Sequence, residues 1–307
     1  MSAVAAALAP IFVLILLGFL TLRAGWLGES FWRGAERLTY FCLFPALLLG
    51  TVAGADLAGL KLWSMFLTLV LSVLAVALAL MLSRPVLSRL LGLDGPSFTS
   101  VFQGSIRPNT YVALAAAGGL FGEAGLTLAA IGVAAVVPLV NVLSVVVLAR
   151  HGQLARGNLG SLLARVVGNP IIIGVAVGVL LNPLGGLPGV LADLVDILGR
   201  AALPLGLLAV GAGLVPSAVR SAAGTLIFGT AVKLGVLPAV SMALAGILGL
   251  EGTAILVALL FTAVPTSASS YVLARQMGGD HTLLAGTLTC QTIVAFATLP
   301  LWLAVVV

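Results

Sequence analysis

The chain consists largely of apolar stretches, each long enough to cross a lipid bilayer as a helix. Such a crossing takes about 20 residues, and ten stretches of this kind follow one another with short connections. The pattern predicts an all-α polytopic membrane protein with ten transmembrane helices, and it leaves no room for a separate extramembrane domain. The predicted spans cover approximately 3–22, 38–55, 61–82, 97–121, 125–149, 159–181, 189–214, 223–248, 252–275 and 282–306.

Composition excludes the main soluble classes. Apolar residues make up 61% of the chain and charged residues 7%, against about 45–50% and 25% in soluble proteins. The net charge of +5 comes from 14 Lys and Arg that form no basic run, so membrane lipid and not nucleic acid is the expected surrounding. The first span has no basic segment before it and is interpreted as a retained helix. Cys42 and Cys290 lie within spans, so neither a disulfide framework nor a metal site is predicted.

Loop charge predicts the orientation of the chain. Ten basic residues lie in odd-numbered connections, and only Lys61 and Arg200 lie in even-numbered ones. Because loops rich in Lys and Arg stay in the cytoplasm, the odd connections are expected there and both termini on the outer side. The bases of the odd connections are Arg23, Arg33, Arg37, Arg84, Arg89, Arg150, Arg156, Arg165, Arg220 and Arg275.

The fourth span contains a charged and polar break. Residues 103–111 read Gln-Gly-Ser-Ile-Arg-Pro-Asn-Thr-Tyr between apolar flanks. Pro108 donates no backbone hydrogen bond and obstructs the preceding turn, so the helix should break there. Irregular backbone at this depth is tolerated only where it lines a cavity or is buried in protein. Residues 107–110 are therefore predicted to form the centre of a binding site.

The two halves of the chain are similar in sequence. With five spans in each half, the second copy enters the membrane from the opposite side. We therefore predict an inverted repeat of residues 1–150 and 151–307, an architecture of secondary transporters that bind substrate on discontinuous helices near the midplane. The matched pairs, at an offset of 159 or 160, include Pro10 and Pro170, Gly18 and Gly178, Pro45 and Pro204, and Tyr111 and Tyr271.

The ninth span carries a second proline break. Residues 262–271 read Thr-Ala-Val-Pro-Thr-Ser-Ala-Ser-Ser-Tyr, and Pro265 lies three residues earlier in its repeat than Pro108. Two broken helices related by a pseudo-twofold axis should cross at their breaks and direct half-helix N-termini, which carry partial positive charge, toward one cavity. Arg107 adds a full positive charge, so an anion is the expected ligand.

Short segments along the whole chain carry a family resemblance: residues 9–12, 43–46, 106–111, 137–144, 169–170, 232–234 and 264–267. In their order and spacing they resemble the auxin efflux carrier family, and the bacterial members most similar to this chain are malonate-transporter-like. The resemblance implies two inverted five-helix repeats, as in bile acid sodium symporters, with spans four and nine crossing. It also implies a scaffold of spans 1, 2, 6 and 7 that often dimerises, and a mobile domain of spans 3–5 and 8–10. The implied substrate is a small organic anion such as malonate, malate or auxin, carried across a bacterial inner membrane.

Candidate substrate-binding residues flank both breaks. The alternative for Arg107 is a structural role, in which it pairs with backbone carbonyls of the broken helices. The alternative for the Asn, Ser and Thr side chains is that they cap the half-helices. Lys233 either neutralises carbonyls at the crossing as a fixed stand-in for a bound cation, which we favour, or releases a proton during transport. Asn141 and Ser144 are predicted to support the site through interhelical hydrogen bonds. The substrate-binding set is Arg107, Asn109, Thr110, Tyr111, Pro265, Thr266, Ser267 and Ser270, with helix breaks at Pro108 and Pro265.

The same sequence argues against several other functions. It shows no carboxylate pair, no nucleophile beside a base and no phosphate-binding loop, so an enzyme is not expected. All nine acidic residues are assigned to connections or their edges, which disfavours an antiporter with a carboxylate in mid-membrane. A sodium- or proton-coupled symporter or antiporter of a different solute on the same fold remains the alternative. A sodium ion held by carbonyls and hydroxyls is compatible with the sequence, and no other cofactor is predicted.

Overall fold

The structure, a computed structural model, describes residues 2–56, 62–153, 168–221 and 223–306. These residues form helices, turns and short irregular segments, and no β-strand occurs among them. Lys61, Arg156 and Arg165, which entered the loop-charge prediction, lie outside the described residues, as does the start of the predicted sixth span.

The first part of the chain forms six α-helices. A π-helical turn, Thr39–Leu43, joins the second helix to the third without a break. The helices are α1 (Ser2–Arg23), α2 (Glu29–Leu38), α3 (Phe44–Ala53), α4 (Leu62–Leu91), α5 (Gly95–Ile106) and α6 (Thr110–His151).

The second part of the chain adds seven α-helices. A π-helical turn, Val232–Val236, joins the third of them to the fourth, and 3-10 turns occur at Asn182–Leu184 and Pro216–Ser221. The helices are α7 (Pro170–Leu181), α8 (Gly189–Ala212), α9 (Ala223–Ala231), α10 (Leu237–Ile247), α11 (Gly252–Ala263), α12 (Ser269–Met277) and α13 (His281–Val306).

Seven helical units of the described chain are long and apolar enough to cross a membrane. They confirm the prediction of an all-helical integral membrane protein. Two shorter apolar helical segments, Pro170–Leu184 and Gly252–Ala263, accompany them. The seven units are Ala6–Arg23, Glu29–Ala53, Leu62–Leu91, Gly95–His151, Gly189–Ala212, Ala223–Ile247 and His281–Val306.

The second helical unit begins earlier than the sequence predicts. The apolar stretch was expected over 38–55, whereas α2 begins at Glu29. This helix is amphipathic: Trp32 is buried, and the exposed Arg33 pairs with Glu29 at 3.6 Å. Charges on one face lower the mean hydropathy although the opposite face is apolar, so a search for apolar runs misses such a helix. Glu36 consequently lies about two turns inside a helix and not in a connection.

The longest helix, α6, changes direction at one glycine. Gly122 has φ 60° and ψ −147°, a backbone conformation that is open mainly to glycine. Helical structure continues on both sides of it. Gly122 therefore divides α6 into a first part, residues 110–121, and a second part that ends at His151.

The helices pack in two groups. One contains α1, α2, α3, α7 and α8, and the other contains α4, α5 and α9 to α13. In the first group, α1 and α8 approach so closely that a Cβ atom at Gly18 or Gly211 would overlap the backbone of the facing helix. Small residues allow such contacts between membrane helices. Helix α6 contacts members of both groups, and its first part begins at the predicted site.

Candidate functional site

The chain breaks after α5 and after α11 lie against each other. Residues 107–109 separate α5 from α6, and residues 264–268 separate α11 from α12. The backbone N–H of Asn109 donates a hydrogen bond of 2.8 Å to the carbonyl of Pro265. The two irregular segments are thus joined inside the protein, where polar backbone groups find partners that lipid cannot offer.

Proline and asparagine explain how these breaks form. Arg107 has extended backbone, φ −81° and ψ 125°, as does Val264, with φ −72° and ψ 155°. Each residue precedes a proline, which disfavours the helical conformation at that position. Helix α6 then restarts at Thr110, with the Asn109 side-chain oxygen accepting from the backbone N–H of Val112 at 3.3 Å. Asn109 is therefore an N-cap, as one of the two interpretations of the sequence expected.

Arg107 is buried among hydroxyl groups. Its side chain is 6% exposed, and it donates from Nη1 to Ser144 Oγ at 3.3 Å and from Nη2 to Ser269 Oγ at 3.0 Å. Its Nε is also buried and has no hydrogen-bond partner among the described residues. No carboxylate in the described part of the chain forms an ion pair with it. A buried guanidinium without a counterion is unfavourable, and an anion placed here would offset that cost.

The Asn109 amide nitrogen is a second available donor. The residue is 1% exposed, and its side-chain oxygen is already used by the helix cap. Its Nδ2 finds no partner in the parts of the chain that the structure describes. Capping and ligand binding are therefore compatible at this residue, because they use different atoms.

The second break carries two pairs of neighbouring hydroxyls. Ser269, which contacts Arg107, lies 2.9 Å from Ser267 Oγ. Thr266 Oγ1 lies 3.4 Å from Ser270 Oγ, and the Thr266 N–H donates to Gln291 Oε1 at 2.8 Å. The structure thus brings Thr266, Ser267 and Ser270 to the crossing beside Pro265, and it adds Ser269 as the residue that touches the guanidinium.

Gln291 of α13 is a central residue that the sequence interpretation missed. It is fully buried, and its Nε2 donates to the carbonyls of Gly104 at 3.0 Å and Gly229 at 3.3 Å. Together with the bond from Thr266, these contacts join α5, α9 and the second break to α13. A lone glutamine in an apolar span is a signal that could have identified it, because polar groups at this depth need a partner.

Lys233 lies in the π-helical turn between α9 and α10. It is completely buried, and its Nζ donates to the Thr262 carbonyl at 3.2 Å. Thr262 is in the last turn of α11, where helix carbonyls carry partial negative charge. The amine therefore lies where a cation is electrostatically favoured, directly before the second break.

Tyr111, in the first turn of α6, packs against the first group of helices. Its ring meets the Phe44 ring edge-on, with centroids 4.8 Å apart. The ring also faces Gly206, where an added Cβ atom would come within 2.8 Å of it. Tyr111 thus joins the start of α6 to α3 and α8.

Helix α2 and the turn after it also border the site. Glu36 and Tyr40 lie four residues apart and both interact electrostatically with Tyr111, as Tyr40 does with Arg107. Both side chains are partly buried. The sequence interpretation placed Glu36 in a connection because it began this helix nine residues too late, and it did not single out Tyr40, which lies within the predicted span.

The remaining predicted residues are in the same region. Thr110 is partly buried and is the first residue of α6. Ser144, assigned to a supporting role, contacts Arg107 directly, and Asn141 lies one turn before it in the same helix. Among the described residues, the hydrogen bonds of the Arg107 side chain are thus with Ser144 and Ser269, and the Asn109–Pro265 bond joins its segment to the second break.

An all-helical membrane protein with a buried cation where two broken helices meet has the architecture of a transporter. Residues 3–303 match the family described as membrane transport protein, and the chain belongs to this family. It is also 24% identical over 297 residues, 95% of each chain, to a protein of Methanothermobacter thermautotrophicus described as an uncharacterized transporter. The chain is thus a membrane transporter and not an enzyme, and its resemblance to the auxin efflux carrier family is confirmed.

Proposed function

We propose that the protein is a carrier of a small organic anion, a mono- or dicarboxylate, which binds where the two broken helices meet. The observation that carries the proposal is the burial of Arg107 among hydroxyls, with no carboxylate partner in the described part of the chain. A carboxylate is the natural counterion, because the planar guanidinium donates to both of its oxygens at once. Malonate- and malate-like anions are the first candidates.

Other groups at the crossing add to the attraction for an anion. The N-termini of α6 and α12 begin at Thr110 and Ser269, and helix N-termini favour negative charge. Asn109 Nδ2 and Arg107 Nε are buried donors that no described residue uses. Thr110, Tyr111, Thr266, Ser267 and Ser270 supply hydroxyls that orient the bound anion.

We further propose that the chain crosses the membrane ten times, as two inverted repeats over 1–150 and 151–307. The turn at Gly122 supports two crossings within the unit Gly95–His151. The apolar segment Pro170–Leu184 and the pair α11 and α12 supply the crossings that the seven long units lack. Loop charge supports a topology with both termini on the outer side, and a bacterial inner membrane is the proposed location.

This topology predicts that a reporter enzyme fused to the C-terminus will lie outside the cytoplasm. An enzyme that is active only in the cytoplasm, fused after Val307, should show no activity, because ten crossings return the chain to the outer side. A reporter fused after His151, in an odd-numbered connection, is the matched control and should be active. Strong activity of the C-terminal fusion, with the protein intact in the membrane, would contradict the ten-crossing topology. It would also contradict the inverted repeat, which depends on that topology.

For the transport mechanism we propose alternating access by an elevator-like movement. The group of α1, α2, α3, α7 and α8 acts as scaffold, and the group of α4, α5 and α9 to α13 moves with α6 as one body. Internal packing within each group supports this division, and transporters with inverted repeats commonly exchange access by rigid-body motion. The scaffold helices are also the proposed surface of a homodimer.

Lys233 is proposed to act as a fixed cation at the crossing. Its bond to the Thr262 carbonyl supports this role, because the amine lies at the negative end of α11. A positive charge held there replaces a sodium ion that carbonyls and hydroxyls would otherwise bind. Transport would then be driven by the anion gradient and the membrane potential.

Ligand-dependent thermal stability tests the proposed function. The purified protein is heated with single mono- and dicarboxylates, with and without sodium, at two pH values. Binding to the folded state stabilises it by about 2.7 kcal/mol at a hundredfold excess over Kd, so a carboxylate that binds will raise the melting temperature. Stabilisation by cations or neutral solutes, with none by any carboxylate, would contradict the proposal.

A second candidate function is proton-coupled transport on the same fold. The position of Glu36 favours it, since this carboxylate lies inside the second helical unit near Tyr111 and not in a connection. Carboxylates within membrane spans commonly relay protons. In this case an inward proton gradient stimulates uptake by the wild type, and Glu36→Gln abolishes the stimulation. Uptake that responds equally to the gradient in both proteins would exclude Glu36 as the coupling group.

A further inference from the structure

Trp302 of α13 makes a hydrogen bond to the backbone of another helix. Tryptophans near the ends of membrane spans are usually anchors with the polar end of the ring at the membrane surface. Trp302 is instead partly buried, and its Nε1–H donates to the carbonyl of Leu234 at 2.7 Å. Leu234 lies in the π-helical turn Val232–Val236, next to Lys233. The indole therefore binds the turn that carries the buried lysine.

Pro238 explains why this carbonyl accepts from a side chain. In an α-helix, the Leu234 carbonyl would accept from the backbone N–H of residue 238, but proline has none. The proline ring also crowds the carbonyl four residues before it. The helix takes up an extra residue at this point, and the N–H of Leu237 donates to the carbonyl of Val232, five residues back. The Trp302 indole thus supplies the donor that Pro238 removes.

A second π-helical turn has the same arrangement. Thr39–Leu43 is also followed by one residue and then by a proline, Pro45. Its second residue, Tyr40, interacts electrostatically with Arg107, and the second residue of the other turn, Lys233, reaches the end of α11. Such turns are frequent at functional sites. Here each of them brings a polar side chain into the region of the breaks.

Side chains of α13 hold the helix on both sides of Lys233. Gln291, about three turns before Trp302 on the same face of α13, donates to the carbonyl of Gly229 at 3.3 Å. The Lys233 amine itself has a single hydrogen-bond partner among the described residues, the Thr262 carbonyl. Because a buried amine that loses its partner is strongly unfavourable, the position of the turn decides whether the charge is compensated.

We propose that Trp302 is a positioning residue, whose indole N–H fixes the π-helical turn so that Lys233 lies at the carbonyl end of α11. This inference rests on the proposed role of Lys233 and adds the residue on which that role depends. Without the indole bond, the extra residue of the turn can move along the helix, and passing Lys233 it would rotate that side chain by about 100°. In the proposed mechanism α9, α10, α11 and α13 move as one body, so the contact persists throughout transport.

Two substitutions at position 302 separate the N–H from the volume of the ring. Trp302→Phe keeps a large ring without the donor, whereas Trp302→His keeps a ring N–H, at Nε2, in a smaller side chain. We expect carboxylate uptake to fall about tenfold in Trp302→Phe, because a buried carbonyl loses its partner, and to stay closer to the wild type in Trp302→His. Packing alone would reverse this order, since Phe retains more volume, and the reversed order would overturn the proposal.

A surface tryptophan supplies the matched control. Trp63, in the first turn of α4, is 70% exposed, and Trp63→Phe makes the same chemical change in the same group of helices. Uptake by this variant should equal that of the wild type. An equal loss in Trp63→Phe and Trp302→Phe would show a general effect of removing an indole and would overturn the specific role of Trp302.

A double-mutant cycle with Lys233→Met shows whether Trp302 acts through the lysine. Methionine is similar to lysine in volume and carries no charge. In the Lys233→Met background, Trp302→Phe should lower the melting temperature less than in the wild type, because no buried amine remains to be misplaced. Equal decreases in both backgrounds would overturn the proposal. If Trp302→Phe alone does not fold, Lys233→Met should restore folding, and a double variant that also fails to fold would overturn it.

The outcomes separate this inference from the proposed function. Coupling between positions 302 and 233 in the melting temperature, without carboxylate uptake by the wild type, would support the positioning role and reject the anion carrier. Carboxylate uptake by the wild type, with additive effects at the two positions, would support the carrier and reject the positioning role.

Discussion

Replacing Arg107 by lysine is expected to weaken carboxylate binding by about tenfold to a hundredfold, because a charge-assisted hydrogen bond is worth roughly 1.5–3 kcal/mol. Lysine keeps the positive charge but loses the planar fork that donates to both carboxylate oxygens. Arg107→Ala should lose more, since it removes the charge as well. The measurement is Kd from ligand-dependent thermal stability, made beside the melting temperature without ligand.

A second arginine supplies the control for this experiment. Arg200 is exposed and pairs with Asp196 at 2.7 Å on the surface of α8, far in the sequence from both breaks. Arg200→Lys makes the same chemical change and should leave Kd unaltered. If Arg107→Lys and Arg107→Ala both fold and bind the carboxylate as well as the wild type, Arg107 is structural and Lys233 becomes the next candidate.

Linking the two helix groups is expected to abolish transport. The rings of Phe12 in α1 and Phe296 in α13 meet edge-on, with centroids 5.0 Å apart, and neither residue belongs to the proposed site. In a background free of native cysteines, Phe12→Cys and Phe296→Cys are bridged by a short bifunctional thiol reagent. Such a bridge prevents an elevator-like movement of one group against the other, so uptake should fall to the background rate. When the bridge is cleavable, its reduction should restore uptake.

The control bridge lies within the proposed scaffold. A Cβ atom at Gly50 of α3 would lie 2.9 Å from the Val195 side chain of α8, so Gly50→Cys and Val195→Cys can be joined in the same way. This bridge should leave uptake unchanged, because both helices stay together during transport. Full uptake by a protein quantitatively bridged between Phe12→Cys and Phe296→Cys would reject the movement of one group against the other.

The contact between the two breaks could be predicted from the sequence for two reasons. The signals are local, and polar or charged residues in an apolar span cost free energy unless they have a role. A proline beside an arginine in an apolar span leaves few structural options, and the same holds for Pro265 and the hydroxyls after it. The hydrogen bond between Asn109 and Pro265 joins the two segments that this reasoning singled out. In the proposed inverted repeat, these residues, far apart in the sequence, would face each other.

Other parts of the site depend on which residues are close to each other in three dimensions. These contacts could not be inferred from the sequence. Gln291 is one polar residue in a long apolar helix, and its role follows only from the three elements that it joins. Glu36 was assigned to a connection because the charges of α2 hide an amphipathic helix. The unsatisfied amide of Gln103 becomes visible only once its burial is known.

Counterflow in proteoliposomes tests the central claim most directly. Vesicles containing the purified protein are loaded with an unlabelled carboxylate that stabilises it and are then diluted into a trace of the labelled compound. A carrier with one site of alternating access accumulates the label transiently, and this uptake saturates with concentration. We predict such accumulation for the wild type and its loss in Arg107→Ala. Equilibration without transient accumulation or saturation would indicate a channel, and no carboxylate flux from folded, ligand-binding protein would contradict the proposal of a carrier.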